Sequence, residues 1–482
     1  MISSQPARVI VVGGGITGLS AAWQCTRRGA RVCLLERDDR FGGKIHTVTD
    51  HGFLIETGPD SFIDRNPALI ELATELGMAD QVIAVQTGRR VNLLSRGRMQ
   101  DMPAGMGMVL PTRIGPFVTT RILTWRQKLR AACDLVVPRM LIPGRDESIG
   151  VFLRRRLGDG IVDGYAEVMV GGIYGAGVDE LSLDAVLPSL RRNEEEYRSL
   201  LLASLSAGRA AARRTSPAGP PFHSLARGLG SLIDELTAQL EQAGVEMRLG
   251  TPVDRIGSCW IEAAGERIEA DAIVLACDPG ATARLLQPGM PDLAAVLDEI
   301  PLGSTTVVTL GYPTSAMEHP VNAQGWLVCD RGPISGVTLS SAKFDDRAPA
   351  GHFLVRVFIP AKRGPLVDAP DEVVLREVTA HLTKYLGVQG NPLITRIDRW
   401  QKVMPKYTVG HLERVARIDG ELERLCPQVV VAGSALHGVG VPDCVADGRR
   451  AADRVLDTIG VMGNATAGPP KKDEPADQAR VI

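Results

Sequence analysis

A glycine-rich turn near the N-terminus, GGGITG at residues 13–18, constrains the fold more than any other feature of the chain. A short apolar strand, residues 8–12, precedes the turn, and residues 17–28 follow it with the apolar spacing of a helix. Residues 31–36 form a second apolar strand. This order of strand, turn, helix and strand is the context in which GxGxxG binds a dinucleotide. The sequence therefore predicts an α/β fold that starts with a Rossmann-like unit.

The three glycines of the fingerprint have separate roles. Gly13 permits the tight turn, Gly15 lets the backbone approach a pyrophosphate because it has no Cβ, and Gly18 lets the helix pack closely on the strand. The N–H groups at the start of the helix offer a partial positive charge to the phosphates. Glu36 ends the second strand 18 residues after Gly18, where a carboxylate accepts hydrogen bonds from ribose hydroxyls. These features predict nucleotide binding, and the alternative is a βαβ unit that has lost its ligand.

Later segments favour FAD over NAD as the nucleotide. A second glycine pair lies in RFGGK, residues 40–44, and a further glycine lies in ETGPDSF, residues 56–62. Such glycines let additional backbone lie against a cofactor. Near the C-terminus, GVGVPDCVADG at residues 438–448 opens a helix with Pro442 in its first turn. A helix that directs its N-terminus at a flavin stabilises the negative charge of the reduced ring, whereas a reduced nicotinamide carries no such charge.

Composition argues against several other functions. Lys and Arg (54) nearly balance Asp and Glu (56), and aromatic residues make up only 4% of the chain, so no nucleic-acid partner is expected. The eight cysteines contain no CxxC pair, which indicates reduced thiols of a cytoplasmic protein and no metal site. No apolar run approaches the roughly 20 residues of a membrane span. The first strand begins too early to leave room for a signal peptide.

Taken together, these segments resemble the FAD-dependent protoporphyrinogen and coproporphyrinogen oxidase family over residues 8 to about 456. The glycine turn, Glu36, RFGGK, ETGPDSF and GVGVPDCVADG stand at that family's FAD positions. GGIYGAGVDELSL (171–183) and MPKYTVGH (404–411) are far more specific to the family than GxGxxG. The stretch TLSSAKF (338–344) is similar to the coproporphyrinogen branch, which we favour over the protoporphyrinogen branch.

The chain departs from the family pattern at three places. IYGAG, residues 173–177, stands where members usually have IYAGD. Residues 358–362, FIPAK, replace a stretch that is usually glycine-rich, and residues 169–170, just before GGIY, also differ from the usual sequence.

The resemblance implies an FAD-dependent oxidase of haem biosynthesis. Its reaction converts coproporphyrinogen III to coproporphyrin III, with O₂ as the acceptor and H₂O₂ as the by-product. Hydride passes from a methylene bridge of the porphyrinogen to the flavin, which carries the redox chemistry. The alternative substrate is protoporphyrinogen IX, which gives protoporphyrin IX. The resemblance is also compatible with peripheral membrane contact and with a transient contact to a ferrochelatase or to a second copy of the chain.

The resemblance also implies which residues form the site. Gly172, in GIY, offers its backbone carbonyl to the substrate N–H groups and is the candidate catalytic residue. The residues expected to bind the substrate carboxylates or to pack on the ring are Arg89, Arg90, Leu327, Lys343 and Lys406. The candidate cofactor-binding residues are Gly13, Gly15, Ile16, Thr17, Gly18, Glu36, Arg37, Arg40, Gly42, Gly43, Lys44, Gly58, Pro59, Asp60, Ser61, Val253, Trp400, Gly433, Val441 and Pro442. For each substrate-binding residue the alternative is an ordinary solvated or core side chain.

The expected architecture is that of the amine-oxidase-like FAD proteins (the GR2 type) and has three parts. The FAD-binding domain is assembled from residues 1–88, 222–302 and 425–460. A substrate-binding domain with an antiparallel sheet comprises residues 89–110 and 303–424. A helical lobe comprises residues 111–221, and residues 461–482 are expected to form a disordered tail because they contain little apolar material.

Two other classes remain as alternatives. Amine oxidases and carotenoid desaturases share the N-terminal fingerprint, but they lack GIYxxGxxxLS and the MPxYxVGH pattern. Escort proteins that bind lipidated GTPases reuse the fold without a flavin. The second glycine pair and the GVGVPD turn argue against that class, and a colourless protein that takes up no added FAD would favour it.

Overall fold

The computed structural model describes residues 6–86, 90–103, 105, 109–110, 113–140, 144–212 and 222–461. Arg89, a predicted substrate-binding residue, lies outside the described residues, and so does the predicted tail after Val461. Two large β-sheets with helices packed against them make up most of the described chain.

The first of these sheets has five strands, all parallel. In spatial order they are Glu246–Arg248, Arg31–Leu35, Arg8–Val12, Ala272–Leu275 and Val429–Val431. The central strands are almost wholly apolar because both faces of the sheet are covered. Val9 and Val11 face one core, whereas Ile10 and Val12 face the other. Three distant parts of the chain therefore meet in one parallel sheet.

Helices cover both faces of the parallel sheet. The face of Val9 packs against Ile16–Arg27, Ala68–Glu75, Gly230–Gln242 and Val441–Thr458. The opposite face packs against Pro279–Leu286, Pro291–Asp298 and His411–Leu425, and against a three-stranded antiparallel sheet formed by Val253–Ile256, Trp260–Ala263 and Glu266–Glu269. The core of the parallel sheet is thus closed on both sides, as in other doubly wound α/β folds.

The motif MPKYTVGH spans the end of a strand and the start of a helix. The strand Ile394–Pro405 ends inside the motif, and the helix His411–Leu425 begins at its last residue. Val415 and Ile418 of this helix are buried against the parallel sheet. The sequence patterns above do not predict the helix, which brings the chain back to the parallel sheet before the expected boundary at residue 425.

The second large sheet has seven strands. In spatial order they are Ile394–Pro405, Leu302–Pro313, His352–Pro360, Gly336–Leu339, Ala323–Val328, Arg90–Ser95 and Arg98–Asp101. Neighbouring strands are antiparallel except for Ala323–Val328 and Arg90–Ser95, which are parallel. A long stretch of chain separates these two strands, as a parallel pair requires. The helix Asp371–Leu386 packs on one face of this sheet.

Helices dominate the region between residues 113 and 212. They are Ile114–Thr119, Trp125–Ala132, Ile149–Leu157, Asp159–Ile161, Glu167–Met169, Gly171–Tyr174, Leu183–Val186, Pro188–Tyr197 and Leu200–Ala212, with a π-helical turn at Val162–Ala166. Their core includes Leu93 and, on its edge, Leu327, so these helices pack against the other face of the seven-stranded sheet. Within the described part of the chain, no helix has both the length and the apolar character needed to cross a membrane.

Short elements complete the fold. Two small sheets pair Thr47–Asp50 with Phe53–Glu56, and Phe222–Leu225 with both Phe62–Ile63 and Val82–Ala84. A short α-helix forms at Ser340–Lys343, and 3₁₀ turns form at Ala79–Gln81, Cys133–Leu135, Thr314–Ala316, Ala361–Arg363 and Pro365–Asp368.

Candidate active site

The glycine turn lies between the first strand and the first helix, as the fingerprint requires. Gly13 has a φ of +105°, and a Cβ there would stand 2.7 Å from the carbonyl oxygen of Ala276. A Cβ at Gly18 would stand 1.9 Å from the carbonyl oxygen of Gly13, so both positions require glycine. A Cβ at Gly15 would meet nothing within 4 Å. The turn is therefore packed on two sides and open at Gly15.

The first helix begins without a side-chain cap, since a glycine precedes it. Its first N–H groups, which include those of Ile16 and Thr17, have no carbonyl partner within the helix. The buried Glu36 carboxylate accepts hydrogen bonds from the backbone N–H groups of Gly14 at 2.5 Å and Asp38 at 2.9 Å. Uncapped N–H groups beside an open glycine and a carboxylate fit a nucleotide that carries a pyrophosphate.

The second glycine pair packs directly on the first turn. The Gly42 N–H donates to the carbonyl oxygen of Gly14 at 2.8 Å, and a Cβ at Gly43 would stand 3.3 Å from the Cα of Gly15. Arg40 donates to the carbonyl oxygen of Gly43 at 2.6 Å and so fixes the course of the pair. The two glycine-rich segments that the sequence assigns to one cofactor are adjacent.

A third glycine approaches the same region. A Cβ at Gly58 would stand 1.9 Å from the carbonyl oxygen of Lys44 and 3.7 Å from the ring of Trp400. The Trp400 indole N–H donates to the carbonyl oxygen of Thr57 at 2.9 Å. Pro59 follows and is partly buried. The structure thus brings Gly58, Lys44 and Trp400 together.

Asp60 lies in a cluster of paired charges. Lys343 Nζ donates to Asp60 Oδ1 at 3.0 Å and to Ser61 Oγ at 2.7 Å. Arg356, only 1% exposed, donates to the carbonyl oxygen of Gly58 at 2.7 Å and lies 3.5 Å from Asp60. Burial works against a charge on Asp60, yet the two cations hold the pKa of its carboxyl well below the usual range. The ammonium of Lys343, a predicted ligand of the substrate carboxylates, is therefore engaged by the chain itself.

Lys44 connects the second glycine pair to the turn after the last parallel strand. Its Nζ donates to Ser434 Oγ at 3.3 Å. Lys44 is exposed, yet desolvation by the surrounding chain lowers its pKa. Gly433, beside Ser434, has a φ of +136°, and a Cβ there would meet nothing within 4 Å. Gly433 is thus a second glycine with open space beside it, as a ligand contact requires.

The C-terminal turn, defined as residues 433–440, is held by Tyr407. The Tyr407 hydroxyl donates to the carbonyl oxygen of Ser434 at 2.8 Å and accepts from the N–H of Gly438 at 2.7 Å. The ring of Tyr407 stacks on that of His411, with centroids 3.9 Å apart. A single side chain therefore bridges the C-terminal turn from one end to the other.

Asp447 holds the C-terminal turn from the helix side. Its carboxylate accepts from the N–H of Gly433 at 2.7 Å and lies 2.9 Å from the ring of His437, which also lies 3.3 Å from Asp419. Burial opposes a charge on His437, yet the two carboxylates raise its pKa to about 9. The His437 side chain of the turn and the two carboxylates thus stabilise each other.

The last helix begins at Val441, directly after the C-terminal turn. Gly440 is its N-cap and offers no side chain, and Pro442 stands in its first turn. Asp443, also in the first turn, accepts from the Asn66 side-chain amide at 3.1 Å. The uncapped N–H groups of this helix, like those of the first helix, carry a partial positive charge.

Gly172 lies in the segment of residues 171–177, called the loop below, which begins with the short helix Gly171–Tyr174 and continues through the turn at Gly175. It is exposed, and a Cβ there would meet nothing within 4 Å. The ring of Tyr174 has its centroid 5.8 Å from that of Tyr407. The loop that carries Gly172 therefore contacts the residue that holds the C-terminal turn.

Two substrate candidates lie close to the same loop. Lys406 Nζ is 3.6 Å from Glu180, just beyond the loop, and partly buried Leu327 packs in the same apolar cluster as Tyr174. Arg90 begins a strand of the seven-stranded sheet. The structure groups Lys406 and Leu327 with the loop, whereas Lys343 lies at Asp60.

The remaining cofactor candidates lie near the end of the second parallel strand. The Thr251 N–H donates to the carbonyl oxygen of Glu36 at 2.8 Å, which brings Val253 close to this strand. The Arg37 guanidinium is 59% exposed and lies 3.6 Å from Asp278. Both residues border the region of Glu36.

Four charged residues of the site were missed by the sequence reasoning: Arg356, Lys362, His437 and Asp447. Arg356 stands inside the apolar strand His352–Pro360, and a charge in a buried strand is a signal that an ion pair is present. Lys362 gives no local signal, because its partner Glu167 is 195 residues away. His437 and Asp447 lie close together in the sequence, but no regular spacing marks them as partners.

Comparison with known proteins agrees with this geometry. A family model described as flavin containing amine oxidoreductase matches residues 16–456. A coproporphyrinogen III oxidase of Propionibacterium freudenreichii is 54% identical over 93% of this chain and 90% of its own. One from Bacillus subtilis is 32% identical over 94% and 99%. A crystal structure from Exiguobacterium sp. 255-15, provisionally named protoporphyrinogen oxidase, superposes with a TM-score of 0.82 at 32% identity, covering 95% of this chain and 100% of that one.

These matches cover both sheets and the helical region. They agree with the glycine-rich segments at residues 13–18 and 42–43, which fit a bound nucleotide. The family contains a flavin, and a flavin is the kind of ligand that the open space at Gly15 can accept. The chain belongs to the flavin containing amine oxidoreductase family, within the group of the coproporphyrinogen and protoporphyrinogen oxidases.

Proposed function

We propose that the chain is an FAD-dependent oxidase that converts coproporphyrinogen III to coproporphyrin III, with O₂ as the acceptor and H₂O₂ as the by-product. The observation that carries the proposal is the contact between Tyr174 and Tyr407. It joins the loop of Gly172 to the turn that precedes the last helix. A porphyrinogen held at the loop would therefore lie beside the flavin region.

The cofactor is proposed to be FAD because the site offers places for both halves of a dinucleotide. Glu36 is available for a ribose, and the open space at Gly15 and Gly433 is available for the pyrophosphate and its attached chain. Bound flavin supplies the hydride acceptor for oxidation of the methylene bridges. Flavin released from the purified protein by heat, when separated by chromatography, should run as FAD rather than as FMN.

The residues of the chain would bind and orient the substrate. The backbone carbonyl of Gly172 accepts from the pyrrole N–H groups, and Leu327 packs on the macrocycle. Lys406 binds a propionate, for which it must exchange its 3.6 Å contact with Glu180.

The branch of the family is proposed from the motifs and from the 54% identical relative, which is named for coproporphyrinogen III. Protoporphyrinogen IX is the second candidate, because the structural relative carries that name. Coproporphyrinogen III has additional propionates where protoporphyrinogen IX has vinyl groups, so cations such as Lys406 favour the former.

The test is a comparison of kcat/KM for the two porphyrinogens, each prepared anaerobically and then mixed with the protein in air. Porphyrin fluorescence should appear faster with protein than without it, and kcat/KM should be at least about tenfold higher for coproporphyrinogen III. A preference for protoporphyrinogen IX would assign the chain to the other branch. No acceleration with either substrate would overturn the proposal, and a colourless protein that binds no FAD would point to a flavin-free escort function.

A further inference from the structure

Lys362 ends the stretch FIPAK, one of the places where the chain departs from the family pattern. Its ammonium donates to Glu167 Oε1 at 3.0 Å and to the carbonyl oxygen of Ala176 at 2.9 Å. Its side chain is 15% exposed. A nearly buried cation thus holds the far end of the loop of residues 171–177.

Glu167 holds the same loop with its second oxygen. Glu167 Oε2 accepts from the N–H of Val178 at 3.0 Å. Glu167 begins the short helix Glu167–Met169, which lies directly before the loop. The carboxylate therefore connects the residue after the loop to the helix before it, and it also neutralises the lysine.

Gly171, at the start of the loop, rests on the same ammonium. A Cβ at Gly171 would stand 2.5 Å from Lys362 Nζ and 2.6 Å from the carbonyl oxygen of Ala176. The two ends of the loop therefore meet over Lys362, with no space for a side chain between them. Gly172 follows directly and is exposed.

The position of Lys362 is itself fixed by the seven-stranded sheet. It lies in the 3₁₀ turn Ala361–Arg363, which continues the strand His352–Pro360. Arg363 donates to the carbonyl oxygens of Asp330 at 3.0 Å and Ile334 at 2.9 Å. The turn is therefore a rigid support between the sheet and the loop.

We propose that Lys362, acting with Glu167, is a positioning residue that sets where the Gly172 carbonyl meets the substrate. The inference rests on the proposed function, since it takes Gly172 to be the group that binds the pyrrole N–H groups. Lys362 touches neither the substrate nor the flavin in this role. Burial lowers the pKa of Lys362 while Glu167 opposes that shift, which is consistent with a paired, partly desolvated cation.

The test replaces Lys362 by Met, which keeps the length of the side chain and removes the ammonium. The variant should retain its flavin and unfold at nearly the same temperature as the wild type. Its Kd for coproporphyrin III, measured by quenching of porphyrin fluorescence, should rise at least about fivefold, and kcat/KM should fall at least about tenfold, because small displacements of a binding group are costly. Lys384→Met, an exposed lysine on the helix Asp371–Leu386, is the matched control and should change neither value.

A double-mutant cycle with Glu167→Gln tests whether the two residues act as a unit. The double variant should be little worse than either single one, because each single change already releases the loop. Unchanged porphyrin Kd and kcat/KM in Lys362→Met would overturn the inference. So would losses that only parallel a loss of flavin or of thermal stability. If wild-type protein binds the porphyrin but oxidises neither porphyrinogen, the proposed function fails, whereas the Kd shift still tests the role of Lys362.

Discussion

The Tyr407 hydroxyl donates a 2.8 Å hydrogen bond to the carbonyl oxygen of Ser434. The Tyr407 hydroxyl oxygen also accepts a hydrogen bond from the N–H of Gly438 at 2.7 Å, so this side chain bridges the C-terminal turn. Because Tyr174 rests on the ring of Tyr407, two motifs more than 200 residues apart in the chain contact each other at this side chain. The flavin region and the substrate loop therefore share one support.

Replacement of Tyr407 by Phe removes both hydrogen bonds and leaves the ring in place. We expect a loss of about 1–3 kcal/mol in the free energy of unfolding, because two partly buried hydrogen bonds are lost and the partly buried N–H of Gly438 loses its partner. The Kd for flavin should rise about tenfold, since each 1.4 kcal/mol corresponds to a factor of ten. Urea unfolding and titration of the apoprotein with FAD measure these values.

Tyr385→Phe is the matched control, because Tyr385 lies on the helix Asp371–Leu386 on the far face of the seven-stranded sheet. It should leave the Kd for flavin unchanged. A Tyr407→Phe protein whose Kd for flavin stays within twofold of the wild type would contradict the role assigned to the hydroxyl.

His437 predicts a pH dependence of stability. Its pKa is raised from 6.5 to about 9 by Asp419 and Asp447, while Arg450 and burial oppose the shift. A pKa that is higher in the folded state stabilises the fold fully below the unfolded value of 6.5, and this contribution disappears as the pH rises through about 9. The difference in melting temperature between wild type and His437→Gln should therefore be largest near about pH 6 and nearly absent near about pH 10.

His51→Gln serves as the control, because His51 is paired with Asp50 on the surface and its ring is 76% exposed. It should change the melting temperature little at any pH. A difference for His437→Gln that is independent of pH would show that the imidazole is not charged in the folded protein.

The local patterns predicted much of the parallel sheet, because its elements are set by short-range periodicity. The strand Arg8–Val12 and the helix Ile16–Arg27 lie where the apolar spacing indicates. The helix His411–Leu425 was missed although Val415, Ile418 and Leu422 carry the spacing of one buried face.

Ion pairs between residues that are distant in the sequence could not be predicted from such local spacing. Lys343 and Asp60 are 283 residues apart, and neither has a local pattern that indicates the other. The sequence supports an assignment of Lys343 to the substrate as well as to an ion pair, because both need a cation. Only the folded backbone decides which partner the ammonium reaches.

The pairing of Lys343 with Asp60 leads to a prediction that distinguishes a structural ion pair from a ligand of the substrate carboxylates. Both side chains are mostly buried, at 14% and 17% exposure. Lys343→Met should lower the free energy of unfolding by about 1–3 kcal/mol, because it leaves the Asp60 carboxylate with fewer partners. The double variant Lys343→Met/Asp60→Asn should recover part of this loss in chemical unfolding experiments. Unchanged stability together with a raised KM would identify Lys343 as a ligand of the substrate carboxylates.

Gly15 and Gly18 provide a matched pair that separates cofactor binding from folding. A Cβ at Gly15 would meet nothing in the chain, whereas a Cβ at Gly18 would stand 1.9 Å from the carbonyl oxygen of Gly13. Gly15→Ala should therefore fold with an unchanged melting temperature as the apoprotein, yet bind flavin at least about tenfold more weakly, because its methyl group occupies the space of the pyrophosphate. Gly18→Ala should lower apoprotein stability by about 1–3 kcal/mol through overpacking.

Both variants are compared as apoproteins by thermal unfolding and then titrated with FAD. The diagnostic result is a loss of flavin affinity at Gly15 without a loss of stability. Wild-type flavin affinity in Gly15→Ala would mean that the cofactor does not approach the backbone at this turn. In that case the pyrophosphate would have to bind elsewhere. The next position to test by substitution with alanine would be Gly433, which also has open space beside it. Part of any loss of stability there would come from the strain that a φ of +136° imposes on alanine.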